Sequence, residues 1–258
     1  MNLLSGSFWD GVWFVASWIV AALLAATLVR RFVSNQLLLD HNENAGFMFA
    51  VVGVVYAVLL AFVAVGAWER FAAAEVRTYD EANSLTQVYR GAAIFPQASQ
   101  IRGGLRRYAN LVIDREWPDM SKDQSDPQAA ITIERVAQGI RNLHPVGAGP
   151  QNVHAALLAD IDQVLRDRDD RLSMDATGLN GVVWTTLGAG ALVTIGFTLL
   201  FGFKHRSMQY VMIGGLTFTI AIVFYLTAAL DYPFHGYVSV QSHAFHTALH
   251  SFDMVDKY

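Results

Sequence analysis

Three histidines near the end of the 258-residue chain, His243, His246 and His250, stand at i, i+3 and i+7. On a helix they share a face, with Asp253 one turn on, a spacing that suits Zn²⁺ ligation or a joint titration near pH 6. Imidazoles on an exposed tail helix are usually just solvated, so the spacing alone leaves the site open. Asp231 is the single carboxylate abutting the last apolar run, and a desolvated carboxylate at a membrane is a functional candidate. The Pro-Phe-containing turn that follows, with Pro233, Phe234 and Gly236, favours reading it instead as a turn anchor bonded to the 232–236 backbone. Glu69 and Arg70 end the second apolar run, where a ring of charge in an oligomer selects ions by sign and an isolated pair marks only the membrane edge. The run Asp160, Asp162, Asp167, Asp169 and Asp170 lacks the Gly and terminal Glu of a calcium loop. Interleaved with Arg166, Arg168 and Arg171, it reads as a solvated, self-paired helix face. Glu81 and Arg90, nine residues apart, share no helix face and read as structural partners of other helices or subunits. There is no HExxH, no GxSxG and no phosphate-binding glycine loop, so no enzyme is expected. Cysteine is absent, which excludes disulfides and thiol chemistry. No cofactor is implied.

What must position these groups is a set of membrane helices. The chain is 53% hydrophobic and only 16% charged, against about 25% charged in ordinary globular domains. The deficit is concentrated in four apolar runs, at 11–29, 45–67, 181–203 and 208–230. The second has no charged residue across 23 positions, enough to cross a hydrocarbon core of about 30 Å at 1.5 Å per residue. No turn signal separates it from the charged helical pattern that continues towards Tyr89, so one long helix is expected. The first run follows Asp10 and no basic residue, unlike a signal peptide, and is expected to remain on the mature protein. A net charge of −4 gives no reason to expect nucleic acid as a partner. Membrane lipid is the expected surrounding.

Residues 69–178 carry 13 of the 18 Lys and Arg and 16 of the 22 Asp and Glu. Their pattern predicts a helical soluble insert: a helix from about 99 to 116 closed by Trp117-Pro118, one opened by Asp126-Pro127, a loop at 144–151, and one starting near Val153. No strand pattern stands out in it. At this size the insert is expected to need neighbouring subunits to complete its core. The fold class is therefore an all-α membrane protein with four transmembrane helices and a helical soluble insert between the second and third spans. The parts are 1–68 with two spans, 69–178 as the insert, 179–231 with two spans, and 232–258 as a weakly helical tail. Arg30, Arg31, Lys204 and Arg206 on the short links place those links in the cytoplasm by the positive-inside rule; Arg70, Arg77, Arg166, Arg168 and Arg171 at the insert's ends argue the other way.

Within the second span, Ala50, Gly53, Ala57, Ala61 and Ala64 form a small-residue stripe that lets helices approach closely. Tyr56 lies midway, Gly53 one turn before it and Leu60 one turn after. Should that face line a pore, Leu60 and Val63 form a constriction that gates by dewetting; otherwise Tyr56 bonds a neighbouring helix.

Several segments resemble the bacterial bestrophin-like family of membrane proteins of unknown function. They are GVVYAVLLAFVAVGAWERF (53–71), the pattern Glu81, Ala82, Asn83, Tyr89 and Arg90, RRYANLVIDREWP (106–118), WTTLGAGALVTIGFTLLFG (184–202) and LDYPFHGYVSVQSHAF (230–245), covering the chain from about residue 45 to its end. Bestrophins are pentameric anion channels with four spans per subunit, a pore lined by the second span and an acidic Pro-Phe-Gly segment after the last. The resemblance implies a homo-oligomer in a bacterial inner membrane that conducts inorganic ions, anions by preference. His235 interrupts the Pro-Phe-Gly order here, and of the calcium-binding acidic cluster only Asp231 remains, which puts calcium gating in doubt. A non-conducting membrane-anchored sensor or scaffold, whose insert binds a partner, is the alternative. A coupled transporter is disfavoured by the lack of broken helices.

Overall fold

The computed structural model describes residues 8–122 and 124–257, and every regular element among them is helical. Ten α-helices follow in order: α1 (Phe8–Phe32), α2 (Asn35–Asp40), α3 (Asn42–Gly91), α4 (Ala98–Leu111), α5 (Trp117–Met120), α6 (Pro127–Arg141), α7 (Ala148–Ala176), α8 (Gly181–Thr198), α9 (Arg206–Asp231) and α10 (His243–Val255). Four of them, α1, α3, α8 and α9, are long and apolar enough to cross a membrane. The expected continuous helix is α3, 50 residues and so about 75 Å long. The chain packs as two units. One holds the residues up to Glu69 with Leu179–Asp231; the other holds Arg70–Gly178 with the residues from Tyr232 onward.

The first unit is built on a core of small and branched residues. Ala22 and Ala26 of α1, Tyr56 and Leu60 of α3, Leu187 and Ala191 of α8, and Ile213 and Ile220 of α9 meet there. Helix α1 packs along α9: a Cβ at Gly11 would lie 2.7 Å from the Tyr225 ring, and Trp18 and Phe14 lie 5.8 and 6.2 Å from Phe224. The third span is shorter than its apolar run. It stops at Thr198 and the chain unwinds over 199–203, where Gly202 passes so close to the Leu39 backbone that any side chain would collide. The carbonyls freed by unwinding find partners, as a backbone at a membrane edge must. Gln209 donates to Phe201 O at 3.3 Å, Asn42 to Gly202 O at 2.9 Å, and Arg30 and Asn35 to Phe203 O at 3.2 and 3.1 Å. The polar link after α1 also contains structure that its composition hid. Ser34 caps α2 by accepting from Leu37 N at 3.3 Å, and Leu38 is buried.

The second unit combines the later half of α3 with α4 to α7 and α10. Asp126 caps α6 through Gln128 N at 3.1 Å with Pro127 in the first turn, as the sequence predicts. Two boundaries differ from expectation. Helix α7 begins at Ala148 rather than near Val153, since Gly147 takes a left-handed φ of 93° and Pro150 fits the first turn, where its missing N–H is no loss. Trp117-Pro118 does not end a helix either. Residues Val112–Glu116 widen into a π-turn in which Trp117 N reaches back to Val112 O, and helix continues through Pro118 to Met120. The tail is a core element: Ala244, Phe245, Ala248 and Phe252 of α10 fill the interior lined by Leu85, Tyr89, Leu105, Ile133 and Ile161. The tail thus supplies part of the second unit's core from the same chain.

Candidate functional site

Side chains along α3 advance by about 100° per residue, so its spanning part presents distinct faces. Tyr56, Leu60 and Ala67 are buried, and Val63 packs against the same core. The set expected to line a pore therefore does not share an open face. Tyr56 and Leu60 point into the unit's own interior, while Gly53 has no neighbour within 4 Å of where its Cβ would be. The reason is the packing of Tyr56, whose ring occupies the space a side chain at Gly190 would need. Its hydroxyl is buried without a hydrogen-bond partner among the described residues, so it does not bond a neighbouring helix of this chain. Opposite this seam stand Phe47, Val51, Val54, Val58, Phe62 and Val65, all exposed, Phe62 at 75% against 7% for Leu60. Between the two lies the small-residue stripe of Ala57, Ala61 and Ala64.

The charged candidates separate as well. Glu69 is exposed, whereas Arg70 donates to the Thr177 carbonyl. Asp231 is fully buried at the end of α9. Its carboxylate accepts from Leu179 N at 2.8 and 2.9 Å and from the Trp184 indole at 3.2 Å. Its partners thus include the start of α8, where the turn after it was expected to supply them. That turn holds itself: Val240 N donates to Pro233 O at 2.7 Å, His235 N to Tyr232 O at 3.1 Å, and Gly236 takes a φ of 76°. Phe234 is buried edge-on to Trp117 at 5.6 Å, and His235 Nε2 meets Asp175 Oδ1 at 2.9 Å.

The charged run of α7 departs from the solvated face expected of it at three positions: Arg166 and Asp169 are exposed, but Asp167, Arg168 and Arg171 are buried. Arg171 is fully buried, and its guanidinium donates to Glu81 at 2.8 and 3.3 Å and to Glu116 at 2.8 Å. Arg168 donates to the other oxygen of Glu116, and the Tyr108 hydroxyl donates to Glu81. Trp117 and Phe245 stack on the Arg171 cation at 5.2 and 5.7 Å. Burial alone would pull Arg171 down, but the Glu81 and Glu116 carboxylates outweigh it and its pKa is raised. Burial and then the Glu81 charge push Tyr108 well above the usual phenol range. Two carboxylates against two guanidinia leave the cluster neutral. Its sequence signal is the stripe Leu157, Ile161, Val164, Arg168, Arg171 and Asp175: charged residues continue the apolar face at its own period, and all six are buried. Asp167 is buried too, against Gln163 at 2.9 Å and Arg77 at 3.6 Å.

Tyr89 stacks on Phe252 at 3.9 Å and donates to Asp256 at 2.6 Å, while Arg106 reaches Asp253 and Asp256 at 2.7 and 3.0 Å. These contacts orient α10 so that His243, His246 and His250 face outward and are exposed. No group of three or more His, Asp or Glu among the described residues is placed to hold a metal, so these histidines do not converge as their spacing allowed.

Comparison with known proteins follows this geometry closely. The model of the Bestrophin-like domain matches residues 16–245, beginning earlier than the segments that carry the resemblance. Among curated proteins no sequence matches. A single-substitution variant of a bacterial bestrophin homologue from Klebsiella pneumoniae superposes with a TM-score of 0.72 at 13% identity, covering 95% of this chain and 99% of that one. Another crystal structure of the Klebsiella pneumoniae homologue gives 0.70 at 14% identity, with 95% and 99% covered. A variant described only as a membrane protein gives 0.70 at 14%, with 94% and 98% covered.

Proposed function

The chain belongs to the bestrophin-like family, and from that premise we propose that it forms a homo-oligomeric anion channel in the bacterial inner membrane, with the outer face of α3 lining the path. One observation carries the assignment of that face. A spanning helix whose inward side is already filled by Tyr56, Leu60 and Ala67 turns an unbroken stripe of valine and phenylalanine the other way. In a ring of copies the small residues Gly53, Ala57, Ala61 and Ala64 let neighbouring α3 helices approach. Val54, Val58 and Phe62 then meet around the axis as an apolar neck that conducts when wetted and closes when dry. Glu69 supplies charge at the mouth. Arg70, engaged with Thr177, orients the helix there. Five copies is the number in the channels the sequence resembles. Asp231, Pro233, Phe234 and Gly236 act as an anchor and a turn rather than as a calcium site.

Planar-bilayer recording of the purified protein in asymmetric KCl tests this. Reversal near the chloride potential, with conductance changed by Phe62→Ala and left alone by Leu60→Ala, is expected. Reversal near the potassium potential keeps the channel and overturns the anion assignment. Silence from a folded oligomer favours the scaffold reading. A response to Leu60→Ala and none to Phe62→Ala overturns the assignment of the face.

A further inference from the structure

A crevice of about 350 Å³ runs between α4 and α6, at the small end of ligand-sized cavities. Two arginines line it, Arg107 from α4 and Arg135 from α6. The other arginines of these helices are matched by carboxylates: Arg102 with Asp256, Arg106 with Asp253 and Asp256, and Arg141 with Glu134 and Asp162. Arg107 and Arg135 have no such partner among the described residues, and the crevice is lined by no Asp or Glu. The remaining polar lining can donate, through the side-chain amides of Gln97, Gln100 and Gln128 and the Thr132 hydroxyl. Glycines shape the space. Gly104 lies so close to Val136 that a Cβ would collide, which draws the two helices together. Gly103 and Gly139 have nothing within 4 Å of a would-be Cβ, which keeps the crevice open.

Both guanidinium groups are exposed at the crevice, and their planar forks of N–H donors match the oxygens of phosphate. We infer that this crevice binds a compact phosphate-type anion. No aromatic ring among the described residues lines it, so none of them would stack a nucleobase; the ligand is recognised through its oxygens. Such a group comes from a soluble polyphosphate or from a lipid headgroup, and the test separates the two.

Pyrophosphate and short-chain phosphatidic acid are each titrated by calorimetry into the full-length protein in detergent. Saturable pyrophosphate binding, weakened tenfold or more by Arg107→Ala and by Arg135→Ala and lost in Gly139→Leu, is expected for a soluble ligand. Gly139→Leu plugs the crevice and leaves both charges in place. Saturation by phosphatidic acid alone, with the same response to the three variants, supports the site with a headgroup as its source. Arg166→Ala removes an exposed arginine elsewhere and should leave either affinity unchanged. Absence of saturation with both probes overturns the site. So does equal weakening by Arg166→Ala, or binding that survives Gly139→Leu.

Discussion

Helix α3, in its spanning part, turns bulky apolar residues outward; helix α7 turns arginines inward. Phe62 and Val58 are exposed on α3, while Arg171 and Arg168 are buried on α7. Both arrangements invert the ordinary rule for a soluble helix, and they do so for different reasons. An outward apolar face costs nothing where lipid or another copy covers it. An inward arginine is tolerated only because Glu81 and Glu116 face it and satisfy its donors. What an inverted pattern means depends on what meets it.

Breaking the α7 side of this comparison should give the largest effect. Arg171→Met leaves the Glu81 carboxylate buried without its cation and Glu116 with Arg168 alone, and should cost about 3–5 kcal/mol in detergent unfolding. Adding Glu81→Gln should recover part of that loss; no recovery would show that the unpaired Glu81 charge is not the cause. On α3 the contrast sharpens. Leu60→Ala should cost about 2–5 kcal/mol, as a core truncation does, whereas Phe62→Ala should change unfolding little. Equal costs would mean the two faces are not distinct. Asp231→Asn keeps the shape but weakens charge-assisted bonds to Leu179 N and Trp184, with an expected loss of about 1–3 kcal/mol. The change should be visible in Trp184 fluorescence, and unchanged emission would count against the indole bond.

The smallest effect concerns pH. The hydrogen bond from Tyr89 and then the one from Arg106 lower the Asp256 pKa below its usual value. The unfolded chain therefore binds the proton more readily. The contribution of Asp256 is present above the unfolded pKa of about 4 and is lost as pH falls through the lower folded value. Protection factors of the α10 amides, corrected for the intrinsic pH dependence of exchange, should fall on acidification below about pH 4 in the native protein, and Asp256→Asn should remove that dependence. An unchanged acid response in the variant would assign it to another group.

The four spans, the long helix and the cap at Asp126 were legible because length, apolar content and Asp-Pro chemistry are local signals. The faces of α3 were not. Composition cannot tell which side of an all-apolar helix meets α8, and the choice of Tyr56 and Leu60 over Val58 and Phe62 turned on one ring lying against Gly190. In the run RDRDDR the density of charge masks the helical period. Read by period, Arg168, Arg171 and Asp175 extend the buried stripe begun by Leu157. The partners of Asp231 were hidden by distance in sequence, since Leu179 lies a full helical hairpin away.

The place of α10 in the core bears on how the chain is made. Phe245 and Phe252 complete an interior whose other walls, through α7, are synthesised first. The 66 residues between Ala176 and His243 include both α8 and α9. At about 5–20 residues per second, the ribosome takes about 3–13 s to cross them. During that interval α8 and α9 are made, and the two rings are not yet part of the chain. Phe245 and Phe252 can take their places only after α8 and α9 have been synthesised, so a chain cut short within either span lacks both rings and leaves the second unit's interior unfilled.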